Sequence, residues 1–284
     1  SQYGGIWMGG GSPAIDSSNN LYLLTGNGNF NATSPTVPNK DYGDSFLKLS
    51  NSLLISQYFT PSDQATDNSN DQDFGSGGAA ILVDLPTNGG ATPTHLVLGG
   101  GKDGYLYALN RDNLGGSGDA NAWQRFNFGY SMFGTGAFWN FKFYLAGNGG
   151  PMQQFTLNAS TAQFNAVATA VSANKFGFPG STPSINSTPN LTTGVVWALD
   201  NTNYCTPQSK ACGASVLHAY DAMTLNELFN STQGTGNGAG NAVKFTVPTV
   251  ANGKVYFGDR GNNTGGSDSS TTIPGQLEVF GLLP

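Results

Sequence analysis

Residues 94–110, THLVLGGGKDGYLYALN, read as a β-hairpin. An apolar run led by Leu96, Val97 and Leu98 enters a Gly-rich turn at Lys102 to Gly104, and a second run, YLYALN, leaves it. Turn residues between two β-rich runs are what a tight hairpin needs. The same order recurs as GSPAIDSSNNLYLLTG at 11–26, as GTGAFWNFKFYLAGNG at 134–149 and as FTVPTVANGKVYFGD at 245–259. Val195 to Asp200, VVWALD, reads as one more strand of this kind. Helical periodicity is nowhere sustained, so an all-β chain of short strands follows.

Composition supports that reading. The 284 residues include 41 Gly and 14 Pro, which supply turns, and 12% aromatics, which supply strands. Charged residues make up only 10% of the chain, against about 25% in ordinary soluble domains. The formal net charge of -6 has no basic patch to offset it, which argues against a nucleic-acid partner. No apolar run is long enough to span a bilayer as a helix. Solubility carried by neutral polar groups suits an extracytoplasmic protein, periplasmic or secreted. P-loop, GxSxG, HExxH and CxxCH motifs are all absent, and His95 and His218 lie far apart in the sequence.

Three short stretches carry a resemblance. Thr25, Gly26 and Asn27 end a strand and continue as GNFNA; Asp73 lies in DQDFGSGG; Lys102 precedes Asp-Gly in the hairpin at 94–110. In order and spacing these resemble the site of the pyrroloquinoline quinone (PQQ) dependent dehydrogenases, which are β-propeller enzymes. The resemblance implies an all-β, quinoprotein-type propeller of about five visible four-stranded blades, at 11–60, 75–128, 134–172, 178–231 and 245–284. It treats 1–284 as a single propeller domain or the C-terminal part of one, within a seven- or eight-bladed ring. ALNRDNLGG from Ala108 and AYDAMTLNELFN from Ala219 resemble the family's blade-docking motif, with Trp123 and Phe229 as packing aromatics.

For the site, the resemblance implies Asn27 as a calcium ligand with Asp73 beside it. Asp73 would accept the alcohol proton and Lys102 would hold the quinone carbonyls. Trp7 is the nearest candidate for the quinone floor, although it precedes the family's position by a few residues. Calcium and PQQ are thus implied as cofactors. The read from residues alone leaves another possibility open: Asp63, Asp67, Asp71 and Asp73 make an acidic loop that could bind calcium structurally or be solvated. Cys205 and Cys212, flanking the polar TPQSKA, are expected to close a short disulfide loop.

The family's glutamate ligand and its adjacent-cysteine disulfide have no match here. Two functions are therefore expected from different classes. One is an extracytoplasmic binding or assembly module with a degenerate quinoprotein site and a protein or carbohydrate partner. The other is the C-terminal part of a PQQ- and calcium-dependent alcohol or sugar dehydrogenase. In either case, missing N-terminal blades or another chain would close the propeller, because an unpaired blade edge invites aggregation.

Overall fold

Apolar runs bounded by turns fold into successive antiparallel meanders in a computed structural model that describes residues 4–33, 40–78, 80–206, 213–234, 238–261 and 274–281. The first sheet places β1 (Ala14–Ile15), β2 (Leu21–Leu24), β3 (Phe46–Leu49) and β4 (Ile55–Thr60) edge to edge in chain order. The second begins with β5 (Ile81–Asp84), β6 (His95–Gly100) and β7 (Tyr105–Asn110). The chain then sends the two-residue strand β8 (Gly116–Ser117) back to pair in parallel with Phe59 and Thr60 of β4, and β9 (Gln124–Asn127) completes the second sheet. In the third, β10 (Ala137–Trp139), β11 (Lys142–Leu145), β12 (Gly150–Asn158) and β13 (Gln163–Phe164) follow in order, and β14 (Ala170–Phe176) also pairs with β12. The fourth is β15 (Ser184–Ser187), β16 (Gly194–Asp200), β17 (Val216–Asp221) and β18 (Glu227–Asn230). Among the described residues the fifth has β19 (Thr249–Ala251), β20 (Lys254–Gly258) and β21 (Leu277–Gly281).

The fold is all-β, a series of blade-like meanders of β-propeller type. It departs from uniform four-stranded blades in two sheets that gain a fifth strand and in one that has three among the described residues. The hairpin at 94–110 forms as its sequence predicts, with Leu98 opposite Ala108 and Gly100 opposite Leu106. At the β19–β20 turn, Asn252 and Gly253 both have positive φ, 51° and 71°, the geometry that favours Asn-Gly in a two-residue hairpin loop.

The chain separates into two compact units: Ser1–Phe143 with Phe155–Thr169, and Tyr144–Gln154 with Ala170–Pro284. Within the first, Tyr22, Leu24, Phe46, Phe59, Phe74, Val97, Tyr107 and Leu109 form one buried cluster. Phe74 meets Phe46 and Tyr107 edge-on at centroid distances of 5.5 and 5.1 Å, a favoured aromatic geometry. In the second, Leu199, Leu217, Val255 and Phe257 bury together.

Each unit has a seam in which the turn after a sheet's third strand is held by side chains of the preceding sheet. In the first unit, Lys48 Nζ donates to Arg111 O at 3.1 Å and Gln57 Nε2 to Asp112 O at 3.1 Å, while Gln57 Oε1 accepts from Leu114 N at 2.9 Å. In the second, Tyr144 Oη and Gln154 Nε2 both donate to Ala222 O, at 2.6 and 2.9 Å. Trp123 engages the following sheet chiefly through its indole N–H, which donates to Ala162 O at 2.7 Å; the ring itself stays partly exposed. Phe229 lies 6.3 Å from Phe280 of β21. The expected Cys205–Cys212 bridge involves Cys212, which lies outside the described residues.

Candidate functional site

The end of β2 is shaped by close backbone neighbours. Thr25 extends the ladder to Ser45, and Gly26 N donates to Gly5 O at 2.8 Å while Gly4 N donates to Asn27 O at 2.6 Å. These bonds run the segment 4–7 alongside the TGN motif, and so bring Trp7 to it. A Cβ on Gly26 would fall 2.5 Å from Asp73 Oδ1 and 2.8 Å from Trp7 Nε1, so only glycine fits between these two side chains.

Asp73 stands at the start of a 3₁₀ turn, Phe74–Gly77, and is almost fully buried. Its Oδ1 accepts from Asn27 N at 2.7 Å, and its Oδ2 lies 2.6 Å from Lys102 Nζ. Lys102 projects from the β6–β7 turn, which is tied to the same loop because Lys102 N donates to Asp73 O at 3.2 Å. That approach explains part of the GGG run: a Cβ on Gly101 would sit 2.3 Å from Asp73 O.

The Lys102 ammonium also reaches Asp71 Oδ1 at 3.0 Å and Asp71 O at 2.9 Å, and lies 5.9 Å from the Trp7 ring centre. Burial works against its charge, but hydrogen bonds to Asp73 and Asp71 prevail and raise its pKa. The hydrogen bond and charge of Lys102 hold the Asp71 carboxyl below the usual range. Asn27 Nδ2 donates to Asp71 Oδ1 at 2.9 Å, leaving Asn27 Oδ1 buried without a donor. Asn27, Asp73, Lys102 and Trp7 thus meet in one place, although the sequence separates them by up to 95 positions. Asn27, Asp71, Asp73 and Trp7 line a cavity of about 780 Å³.

The remaining members of the acidic loop diverge. Asp63 pairs with Arg125 at 3.3 Å, whereas Asp67 is buried in the short helix α1 (Gln64–Ser69). Desolvation, reinforced by the charges of Asp63 and Asp103, raises Asp67 to about 7. Two further buried carboxyls adjoin this region. Burial lifts Asp44 to about 6 against hydrogen bonds from Phe74 N and Gln64 Nε2, and lifts Asp103 to about 6 against one from Tyr105 N. Sequence reasoning did not single out Asp44 or Asp103, since both sit beside glycine in what look like plain turns, YGDS and GKDGY.

Calcium takes six to eight oxygens. Of Asn27 and Asp73, Asn27 offers one buried oxygen without a donor, Oδ1, and both Asp73 oxygens already have partners. Among the described residues no three acidic, histidine or cysteine groups are arranged to hold a metal ion. Calcium, and a quinone held through it, therefore do not fit on these residues alone.

With its blade-like meanders and a polar site at the strand ends, the chain belongs to the propeller class of all-β folds. No protein-family model matches the sequence, and no curated protein matches it. Among solved structures it is similar to BamB from Moraxella catarrhalis, at 12% identity and a TM-score of 0.43 over 87% of this chain and 57% of that one. It is also similar to the computationally designed Ika8 protein, at 9% identity and 0.43 over 95% and 70%. A quinohemoprotein alcohol dehydrogenase, ADHIIG from Pseudomonas putida HK5, is similar at 13% and 0.40 over 90% and 44%. The chain thus spans just over half the length of the BamB structure. All three scores are below 0.5, so the fold rests on sheet order and register rather than on these likenesses. Among the described residues no helix is long and apolar enough to cross a membrane.

Proposed function

We propose that this chain is an extracytoplasmic propeller-type binding or assembly module that keeps a quinoprotein-like pocket without its redox chemistry. One observation carries the reading: the Lys102 ammonium is closed onto Asp73 at 2.6 Å and Asp71 at 3.0 Å. In the working site implied by the resemblance, this cation would face quinone carbonyls and the carboxylate would face a substrate hydroxyl. Here each group's first partner is the other. A proton acceptor must have a free lone pair within hydrogen-bonding reach of its donor. The low charge content supports an extracytoplasmic setting, and the propeller-type sheets support a protein partner at a blade edge or loop face.

A second reading, the C-terminal part of a PQQ- and calcium-dependent dehydrogenase, draws on the unpartnered Asn27 Oδ1, an oxygen suited to a hard cation. It requires ligands from outside the described residues. Titration of the purified chain with PQQ and calcium, followed by a dye-linked alcohol oxidation assay, separates the two. The module reading expects no turnover. Saturable PQQ binding with oxidation that Asp73→Asn abolishes would replace it with the dehydrogenase.

A further inference from the structure

The cavity beside Trp7 is chemically lopsided. Its described lining joins Asn27, Asn68, Ser69, Asp71 and Asp73 to the half-exposed apolar side chains of Ile6 and Trp7, and includes no lysine or arginine. The nearby cation, Lys102, has a side chain only 14% exposed and is engaged by both carboxylates. Two carboxylates against one ammonium leave the wall net negative. Asp71 carries that excess outward, with a side chain 80% exposed.

The orientation of the Asn27 amide is fixed by its neighbour. Nδ2 donates to Asp71 Oδ1 at 2.9 Å, and a flipped amide would set oxygen against carboxylate oxygen. Oδ1 is therefore the atom left over, a buried acceptor with no donor. Such an atom costs about 1–3 kcal/mol until a donor reaches it. Asn68 and Ser69 also line the cavity, but no donor among the described residues reaches Asn27 Oδ1. The wall favours a positive charge and offers an aromatic ring and an aliphatic side chain for an apolar stem.

We propose that this cavity binds a primary ammonium carried on an aliphatic stem, with Asn27 Oδ1 and the Asp71 carboxylate accepting its N–H groups and Trp7 and Ile6 covering the stem. This names the ligand class of the pocket and rests on the binding-module reading. An ammonium brings three donors and no acceptor, the complement of Asn27 Oδ1 and the Asp71 carboxylate. The Trp7 ring adds attraction for a cation near its face. A quaternary ammonium brings charge without a donor for Asn27, a neutral alcohol brings a donor without charge, and a divalent cation needs more oxygens than the pocket offers. A free alkylamine and the side chain of a partner's lysine share the required head group.

Calorimetric titration of the full chain with n-butylammonium, tetramethylammonium, 1-butanol and calcium chloride tests the proposal. Saturable binding of n-butylammonium is expected, at least about tenfold tighter than tetramethylammonium, with no measurable binding of 1-butanol, because a hydrogen bond to a charged group is worth about 1.5–3 kcal/mol. Asp71→Asn should weaken n-butylammonium about tenfold, and the left-handed backbone at Asp71, φ 57°, accepts asparagine, so the fold is spared. Equal affinity for 1-butanol, tighter binding of calcium, an unchanged affinity in Asp71→Asn or no binding of n-butylammonium would each overturn it. Nα-acetyl-lysine amide binding more tightly than n-butylammonium assigns the site to a lysine side chain, and the reverse order assigns it to a free amine. PQQ-dependent alcohol oxidation defeats the module reading, whereas silence toward amines without such oxidation defeats this inference alone.

Discussion

The two seams solve the same problem with different chemistry. Each must satisfy backbone groups of the turn that follows a sheet's third strand. In the second unit the solution is dry and neutral: Tyr144 and Gln154, both essentially fully buried, converge on the single carbonyl of Ala222. In the first it is charged and half-wet: Lys48 and Gln57 divide their bonds among Arg111 O, Asp112 O and Leu114 N. An ion pair and a histidine–carboxylate contact flank that turn as well, Arg111 Nη2 against Asp84 Oδ1 and His95 Nδ1 within 2.8 Å of Asp112 Oδ2. A buried polar bond is worth little net while made and much when broken, because the orphaned group keeps its desolvation penalty. A solvent-facing pair can exchange its partner for water at small loss. The contrast teaches that the same position in the fold tolerates charge where water can reach it and demands neutral donors where it cannot.

The largest break should come at the dry seam. The double variant Tyr144→Phe, Gln154→Leu strips both donors from Ala222 O and should lose about 2–4 kcal/mol in a urea titration. Either single change leaves the other donor in place and should lose only about 1 kcal/mol, so the pair is more than additive. Additive losses would show that the two bonds do not share one acceptor.

An intermediate effect is expected from pH, because the first unit holds the carboxyls lifted most strongly by burial: Asp67 to about 7, and Asp44 and Asp103 to about 6. In the unfolded chain these groups release their protons near pH 4, and in the folded chain only near 6 to 7. Between those values the folded state binds more protons, so stability falls as pH rises from about 4 to about 7. Asp67→Asn removes the largest of these shifts and should raise Tm by about 2–4 °C at pH 8, with little change at pH 4. A Tm gain that is the same at both pH values would point to packing instead.

The smallest effect belongs to the charged seam. Lys48→Met keeps the stem and loses the donor to Arg111 O, and should cost no more than about 1 kcal/mol. A loss equal to that of the dry-seam double variant would erase the distinction between the two.

How much of this could be read in advance follows the same physics. The hairpin at 94–110 was legible because its apolar runs and turn residues are local. The strand β8 was not, since Gly116–Ser117 has no apolar signal and forms only because β4 offers a free edge. At the site, Asn27, Asp73 and Lys102 stood out through a resemblance in order and spacing, yet nothing in the sequence told that Lys102 would close onto Asp73. Trp7 reaches the pocket through backbone bonds from Gly4 and Gly5, which carry no side-chain signature at all. Burial of Asp44 and Asp103 was hidden for the opposite reason: aspartate beside glycine reads as an exposed turn.

Lys102 joins three stretches of chain that are far apart in sequence. Asn27 and Asp73 are 46 residues apart, and Lys102 lies 31 beyond Asp71. Both loops must close before Asn27, Asp73 and Lys102 share one pocket, and that loss of entropy comes ahead of any electrostatic return. Sheets built from neighbouring strands can form earlier, from local contacts. The pocket is therefore a late acquisition in folding and an early loss in partial opening. Its occupancy by a ligand would report whether the first unit is whole, while the blades on either side could still look intact.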